Sequence, residues 1–195
     1  MFMISANGAV VMGASAGGIE ALRIVLRAVP ANFVAPIIVI QHFPADSTMS
    51  LPALLASECR LPVIEAVDKA PIECGRIYIA SPGYHLLIEK ERTIGLSADE
   101  LVNWARPSID VLFESAARVY KELLVGVLLT GANSDGANGL KAIKKLGGYV
   151  IVQDPETSEA AAMPSAAIKA TPVDFVGSLE EIGGLLANSK VRKHE

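Results

Sequence analysis

Short apolar runs alternate with helical patterns along almost the whole chain. The clearest runs cover residues 10–12, 36–41 and 124–129, and amphipathic patterns with apolar residues at helical spacing lie between such runs. Strands separated by helices pair in parallel, and a parallel sheet is covered by helices on both faces. The pattern predicts an α/β fold, a doubly wound, mostly parallel sheet with helices on both faces. Shorter extended pieces between residues 63 and 95 predict a small antiparallel hairpin.

The chain has the size and apolar content of one compact domain. Its 195 residues, of which 51% are hydrophobic and 19% charged, can bury a substantial core. We expect a single domain over residues 1–195, with its core from about 8 to 187 and a frayed tail from 188 to 195.

Charge, hydropathy and cysteine content argue against some binding partners and indicate the cellular compartment. The net charge of −4, with no dense basic run before the tail, argues against nucleic acid. The mean hydropathy of +0.41 is high, but every apolar run is too short to span a bilayer, so we expect no membrane insertion. The apolar residues at the N-terminus are not preceded by the basic segment of a secretory signal peptide. Cys59 and Cys74 lack Cys-x-x-Cys spacing. A cytoplasmic protein with free thiols is the expectation.

A Gly-x-Ser-x-Gly turn at residues 13–17 joins the first of these strands to a helical pattern. In a strand-turn-helix elbow the flanking glycines permit sharp backbone angles, and the serine hydroxyl stands clear of the sheet. The helix N-terminus behind it favours developing negative charge. Ser15 is therefore a candidate nucleophile, although similar turns also bind phosphate or serve structure alone.

Three polar residues follow predicted strands at the edge where ligands gather in open parallel sheets. Ser15 follows the first strand, His42 follows the second, and Asp135 lies in the glycine-rich loop after residues 124–129. A hydroxyl needs a base to attack near neutral pH, and a carboxylate fixes the tautomer of an imidazole base. The three residues predict a Ser15–His42–Asp135 triad. Asp135 is equally suited to cap the helix that follows it, and Asp154 is a weaker rival for the acid.

Other polar residues receive different interpretations. His85 begins a short strand, which favours a structural role. Arg106 could recognise a substrate anion or pair with a neighbouring acid, and Trp104 could be a cleft wall or a lid over the core. Pro107 predicts a helix start at that residue.

A dinucleotide site and a metal site are both disfavoured by the motifs. Ser15 occupies the position of the second glycine in the dinucleotide fingerprint, and the second strand ends in Gln41 and His42 rather than in an acid. The chain has no metal-spaced set of histidines and cysteines and no phosphate-binding loop of the Walker type. We therefore expect hydrolysis without a cofactor.

Further motifs, combined with this order of residues, carry a resemblance that covers about residues 10–186. They are Gly13-Ala14-Ser15, Gln41-His42-Phe43-Pro44, Ala105-Arg106-Pro107-Ser108-Ile109-Asp110, Leu129-Thr130-Gly131, Asp135-Gly136-Ala137 and Met163-Pro164. With them the chain resembles the catalytic domain of the CheB family, the chemotaxis receptor protein-glutamate methylesterases. The resemblance implies a doubly wound sheet with a small hairpin. It also implies that Ser15 is the nucleophile, His42 the base and Asp135 the orienting acid.

The resemblance further implies a reaction and its partners. The substrate would be a glutamate γ-methyl ester on the cytoplasmic helical bundle of a methyl-accepting chemoreceptor, with methanol as the product, and receptor glutamines would be deamidated as well. The family's usual receiver domain has no counterpart in the sequence, so we expect control by a separate receiver protein or constitutive activity. The alternatives are a receptor-binding adaptor with weak or no catalytic activity, or an esterase or amidase that acts on another protein of the chemosensory array.

Four positions carry the expected oxyanion and substrate contacts by resemblance, and several of them depart from the family pattern. Ala16 replaces the usual threonine after the nucleophile, and Ala132 replaces the methionine of a Gly-Met-Gly loop whose backbone N–H is an oxyanion donor. A backbone donor survives a change of side chain, so we expect Ala16 and Ala132 to supply these contacts. Arg106 and Met163 are the expected substrate-binding side chains.

Overall fold

The computed structural model describes residues 3–43 and 50–191. The strands in this part of the chain are β1 (Met3–Ile4), β2 (Ala9–Ala14), β3 (Ile37–Gln41), β4 (Val63–Glu65), β5 (Ile77–Ile79), β6 (His85–Ile88), β7 (Ile94–Ser97), β8 (Leu124–Leu128), β9 (Tyr149–Gln153), β10 (Phe175–Gly177) and β11 (Lys190–Val191). The helices are α1 (Gly18–Ala28), α2 (Leu51–Ala56), α3 (Ile109–Tyr120), α4 (Ala137–Lys145), α5 (Ala162–Ala170) and α6 (Leu179–Ala187).

Seven strands form one sheet in the order β10-β9-β8-β2-β3-β5-β4, and every neighbouring pair is parallel. The strands β2, β3 and β8 are buried along their whole length. This burial explains why their sequences are continuous apolar runs and do not alternate with polar residues. The predicted mostly parallel sheet is confirmed.

Helices cover both faces of this sheet. Along β2, Val10 and Met12 pack into a core with α1, α2 and α6 on one face. Ala9 and Val11 point to the other face, where the core includes residues of α3, α4 and α5. The doubly wound prediction is therefore confirmed as well.

The predicted hairpin is present as β6 and β7, which pair antiparallel with His85 opposite Ser97. Its apolar residues Leu86, Ile88 and Ile94 join the core beneath α3. The other short strands of this region, β4 and β5, belong to the main parallel sheet.

The described segments near both ends of the chain belong to the fold more fully than the sequence predicts. Lys190 and Val191 form a two-residue parallel strand with Met3 and Ile4, so the prediction of a frayed tail is wrong for β11. Ile4 is 3% exposed and belongs to the core. Residues 192–195, the rest of the predicted tail, lie outside the described residues.

Within residues 3–43 and 50–191, no helix combines the length and the apolar character that crossing a bilayer requires. The two cysteines are free thiols, half-buried at Cys59 and exposed at Cys74.

Candidate active site

The site lies where the winding of the sheet changes direction. From the central strand β2 the chain passes to β3 on one side, and β8 later pairs with β2 on the other. Loops that leave the carboxyl ends of such strands diverge and open a crevice. Ser15 follows β2, His42 follows β3, and Asp135 lies between β8 and α4. The three residues predicted from the sequence therefore arise at one edge of the sheet.

The turn that presents Ser15 depends on two consecutive glycines. Gly17 has a φ of +73° and is the N-cap residue of α1, a conformation that strains most other residues. At Gly18 a Cβ atom would lie 2.1 Å from the Gln41 Oε1 atom. The Gly18 N–H donates to the Ser15 carbonyl at 2.8 Å. The chain thus reverses sharply after Ser15, whose side chain is left half-buried.

Gln41, the last residue of β3, connects this strand to Ser15 just after the end of β2. It is 5% exposed, and its Nε2 donates to the carbonyl of Ser15 at 2.8 Å and to that of His42 at 2.7 Å. The His42 N–H also donates to the Ala14 carbonyl at 3.0 Å. These bonds hold the backbones of Ser15 and His42 in a fixed relation.

His42 and Asp135 form the polar pair at the centre of the site. The Nε2 atom of His42 is 3.0 Å from Asp135 Oδ2, and the two side chains are 12% and 0% exposed. Because Asp135 occupies Nε2, Nδ1 is the ring nitrogen left to accept a proton. Among the described residues the Ser15 hydroxyl has no hydrogen-bond partner. The Ser15–His42 bond is thus not formed here, and in free enzymes such bonds often tighten only with substrate.

Asp135 is held by an unusually complete set of donors. Its Oδ2 also accepts the Ile109 N–H at 2.6 Å. Its Oδ1 accepts four donors: Asn103 Nδ2 at 2.8 Å, Ser108 Oγ at 2.9 Å, and the N–H groups of Asp110 and Gly136, both at 3.1 Å.

The donors decide the charge state of this buried carboxylate. Burial alone raises the pKa of Asp135, but the hydrogen bonds from His42, Asn103 and the Ile109 and Asp110 N–H groups outweigh it, and the pKa is lowered. Two of these N–H groups belong to the first turn of α3, where the helix dipole favours an anion. Asp135 therefore stays ionised and oriented toward His42.

Sequence reasoning did not identify Asn103 and Ser108, although both bind the acid of the proposed triad. The side chains of both reach Asp135 Oδ1. Ser108 directly precedes α3, where a serine is a common N-cap, yet its hydroxyl donates to Asp135 and makes no cap bond. Asn103 has a φ of +52°, and asparagine is one of the few side chains that tolerate such a turn.

Two backbone N–H groups beside Ser15 remain unused by the fold. In the described part of the chain neither the Ala16 N–H nor the Ala132 N–H has a hydrogen-bond partner, and both residues are exposed. The loop that carries Ala132 is fixed through Thr130, whose hydroxyl donates to the Ala16 carbonyl at 2.9 Å. These two donors are available to a developing oxyanion.

Met163 lies beneath the site surface. It is fully buried, so its side chain presents no surface to a substrate in this structure, and the predicted substrate contact stays a prediction. Its thioether lies against Gly131, where a Cβ atom would be 2.4 Å from Met163 Cε and 3.0 Å from Ser15 Cβ. The Met163 N–H donates to the Gly131 carbonyl at 2.9 Å. Met163 thus supports the loop next to Ser15.

A cleft of about 570 Å³ opens beside His42. Its lining includes Phe43, Leu101, Trp104 and Arg106. Trp104 is 95% exposed, so it is a cleft wall and not a lid over the core. Arg106 pairs with no carboxylate among the described residues, and its guanidinium donates to the carbonyls of Ala98 and Asp99, both at 2.8 Å. It ties down one wall of the cleft.

The remaining candidates are structural. His85 is 2% exposed; its Nδ1 accepts the Ser108 N–H at 3.2 Å, and its Nε2 lies 2.9 Å from the Glu100 carbonyl. Both ring nitrogens are therefore used by the fold. Asp154 accepts the Glu156 N–H at 2.9 Å in a turn.

Comparison with known proteins shows the family and the fold of the chain. A family model described as CheB methylesterase matches residues 10–186. The chain belongs to the CheB methylesterase family. Its structure superposes on the crystal structure of the Thermotoga maritima CheB methylesterase catalytic domain with a TM-score of 0.88 and 35% identity, over 92% of this chain and 97% of that one.

Two relatives show how much of the CheB-family proteins the chain spans. A Leptospira interrogans protein, provisionally named a protein-glutamate methylesterase/protein-glutamine glutaminase, is 52% identical over 177 residues, which are 91% of this chain and 92% of that one. An Anaeromyxobacter dehalogenans protein named protein-glutamate methylesterase/protein-glutamine glutaminase 2 is 46% identical over 173 residues, 89% of this chain and 50% of that one.

Proposed function

We propose that this chain is a protein-glutamate methylesterase that uses Ser15, His42 and Asp135 to hydrolyse glutamate γ-methyl esters on a chemoreceptor. The observation that carries the proposal is the buried His42–Asp135 pair, with Nε2 and Oδ2 3.0 Å apart, beside a serine on a sharp strand-to-helix turn. Membership of the CheB methylesterase family supports the reaction class.

The first half-reaction forms an acyl-enzyme. The Ser15 oxygen attacks the ester carbonyl carbon while His42 Nδ1 takes the hydroxyl proton. This uses the two ring nitrogens in the reverse of the order found in chymotrypsin-type triads, because Asp135 is bonded to Nε2. The Ala16 and Ala132 N–H groups stabilise the negative charge on the carbonyl oxygen. The proton on Nδ1 then passes to the departing methoxide, and methanol leaves.

The second half-reaction restores the enzyme. Water enters, His42 Nδ1 removes one of its protons, and the resulting hydroxide attacks the acyl carbon. The Ser15–acyl bond breaks, Ser15 recovers its proton from His42, and the product is a glutamic acid side chain, which releases its remaining proton to solvent and becomes a carboxylate. A receptor glutamine follows the same route with ammonia as the leaving group. The relatives named above carry both activities in their names.

Covalent labelling tests the assigned nucleophile without a receptor. We expect a fluorophosphonate probe to modify the protein once, with the adduct located at Ser15 by peptide mass spectrometry. Ser15→Ala is expected to lose the label, and His42→Ala to react about 10²–10⁴-fold more slowly because the base is gone.

Ser134→Ala is the matched control. Ser134 is an exposed serine in the same loop cluster, and its replacement is expected to leave the labelling rate unchanged. Labelling of a serine other than Ser15, or undiminished labelling of Ser15→Ala, would contradict the proposed function.

A further inference from the structure

Two buried carboxylates in the site share a single side-chain donor. Asp110 is 4% exposed and Asp135 is 0% exposed. The Asn103 Nδ2 atom lies 2.8 Å from Asp110 Oδ2 and 2.8 Å from Asp135 Oδ1. Two like charges brought this close disfavour each other's ionisation, and the amide between them gives each oxygen a donor.

Each carboxylate also accepts a hydrogen bond from the helix that contains or follows the other carboxylate, so neither can move away. Asp135, just before α4, accepts the Ile109 N–H in the first turn of α3 at 2.6 Å. Asp110, inside α3, accepts the Gly139 N–H in the first turn of α4 at 2.7 Å. The two charges are therefore fixed near one another by the packing of α3 against α4.

The pKa values of the two groups respond in opposite directions. Burial raises the pKa of Asp110, the Gly139 N–H opposes this, and the charge of Asp135 adds to the rise. The pKa of Asp135 is lowered despite its burial, with His42 and Asn103 the leading hydrogen-bond donors. Asp110 and His42 are the titratable groups that face Asp135 in the described structure.

A tight turn holds Asn103 in place. Val102 and Ala105 exchange backbone hydrogen bonds at 3.2 and 3.0 Å, and Asn103 and Trp104 between them have φ values of +52° and +61°. This is the pattern of a two-residue type I′ turn, in which asparagine is favoured. The turn directs the Asn103 amide to the carboxylates, while the ring of Trp104 stays in solvent.

We infer that Asn103 is a positioning residue for the hydrolytic reaction. Its carboxamide offsets the repulsion between Asp110 and Asp135, so that Asp135 remains ionised and aimed at His42 Nε2. The inference rests on the proposed function of Asp135 as the triad acid. It adds Asn103 and the Asp110 carboxylate to the groups that influence the charge of that acid.

Two substitutions that keep the turn test this role. Asn103→Gly removes the amide and fits a positive φ without strain, so kcat is expected to fall about 10- to 100-fold, the value of one hydrogen bond to a charged group. The acid limb of the kcat/KM profile reports proton binding by the catalytic pair as a unit, and it is expected to move to higher pH because the carboxylate, without the Asn103 donor, favours a bound proton. Asn103→Asp keeps the shape but adds a third carboxylate, and it is expected to move the acid limb further than Asn103→Gly.

Asn138→Ala is the matched control, because the Asn138 amide reaches Asp110 Oδ2 at 3.4 Å and does not touch Asp135. It is expected to leave the acid limb in place. Asp110→Asn in the Asn103→Gly background removes the repulsion and is expected to return the limb toward the wild-type pH. A purely structural role for Asn103 predicts the same limb in all variants, and that result would overturn the inference.

A second readout separates this inference from the proposed function. The side-chain carboxyl carbon of Asp135 can be followed by ¹³C NMR across a pH titration in the unreacted protein. Its pKa is expected to rise in Asn103→Gly and not in Asn138→Ala. An unchanged titration would refute the role of Asn103 even if Ser15 is the nucleophile. A raised pKa would support it even if Ser15→Ala retained activity.

Discussion

Replacement of Asp135 by asparagine removes the charge of the proposed triad acid with almost no change in its shape. Four donors reach Oδ1, so an asparagine keeps its carbonyl oxygen there and places its NH₂ group at the Oδ2 position. That NH₂ group then faces the Ile109 N–H, which now bonds to Oδ2 at 2.6 Å. The buried Ile109 N–H is then left without an acceptor.

The expected loss of stability follows from these contacts. A buried donor without a partner costs about 1–3 kcal/mol, and loss of the anion at the N-terminus of α3 costs about 0.3–1 kcal/mol. We therefore expect the free energy of unfolding, measured by urea titration at neutral pH, to fall by about 1–4 kcal/mol.

The expected loss of activity is much larger, because the tautomer of His42 changes. The new NH₂ group can donate to Nε2 only when Nε2 carries no proton, and the neutral ring then carries its proton on Nδ1. A ring protonated on Nδ1 cannot take the Ser15 proton, so kcat for methanol release is expected to fall about 10⁴-fold.

Asp154→Asn is the control for this change, since Asp154 caps a turn outside the site and is expected to retain wild-type activity and stability. An Asp135→Asn protein whose kcat lies within tenfold of wild type would refute the role assigned to the carboxylate.

Three further predictions address pH, the loop behind Ser15 and the cleft wall. Because the pKa of Asp135 is lowered by folding, its stabilising contribution is present above its unfolded pKa of about 4 and is lost as pH falls through its folded pKa. The unfolding free-energy gap between wild type and Asp135→Asn should therefore shrink below about pH 4; a gap that widens on acidification would contradict this sign. Gly131→Ala places a Cβ atom 2.4 Å from Met163 Cε and should lower kcat as much as about 10²-fold by displacing the loop, whereas Gly184→Ala, where a Cβ has open space, should have no effect on kcat. Trp104→Ala should raise KM for a methylated receptor fragment about tenfold while the rate with a small ester stays unchanged, because the ring is 95% exposed at the cleft; an equal effect on both substrates would argue against a receptor contact.

The sheet and the positions of the proposed triad residues could be predicted because both leave a local pattern in the sequence. The strands β2, β3 and β8 are apolar throughout, and a polar residue directly after such a strand stands at the sheet edge where sites form. Ser15 and His42 were found in this way. Asp135 was identified from the loop after β8, but the helix whose N–H groups it accepts was not. It binds the first turn of α3, whose Ile109 lies 26 residues earlier in the chain, and such a contact depends on helix packing.

The same limit explains what the sequence did not predict. Pro107 suggested a helix start, yet α3 begins at Ile109, where the amides of Ile109 and Asp110 meet Asp135. Asn103 looked like an ordinary loop residue because its partners come from α3 and from the loop before α4. A sequence signal exists in hindsight: an asparagine in a short loop is a common type I′ turn residue, but nothing local points its amide at a carboxylate.

The most direct test of the account is methanol release from a methylated chemoreceptor cytoplasmic fragment by wild-type protein and by Ser15→Ala. We predict release with the wild type and its loss in the mutant, with both proteins shown to be folded by circular dichroism. Release that persists in Ser15→Ala, or no release from folded wild-type protein, would contradict the assignment of Ser15 as the nucleophile of a receptor methylesterase.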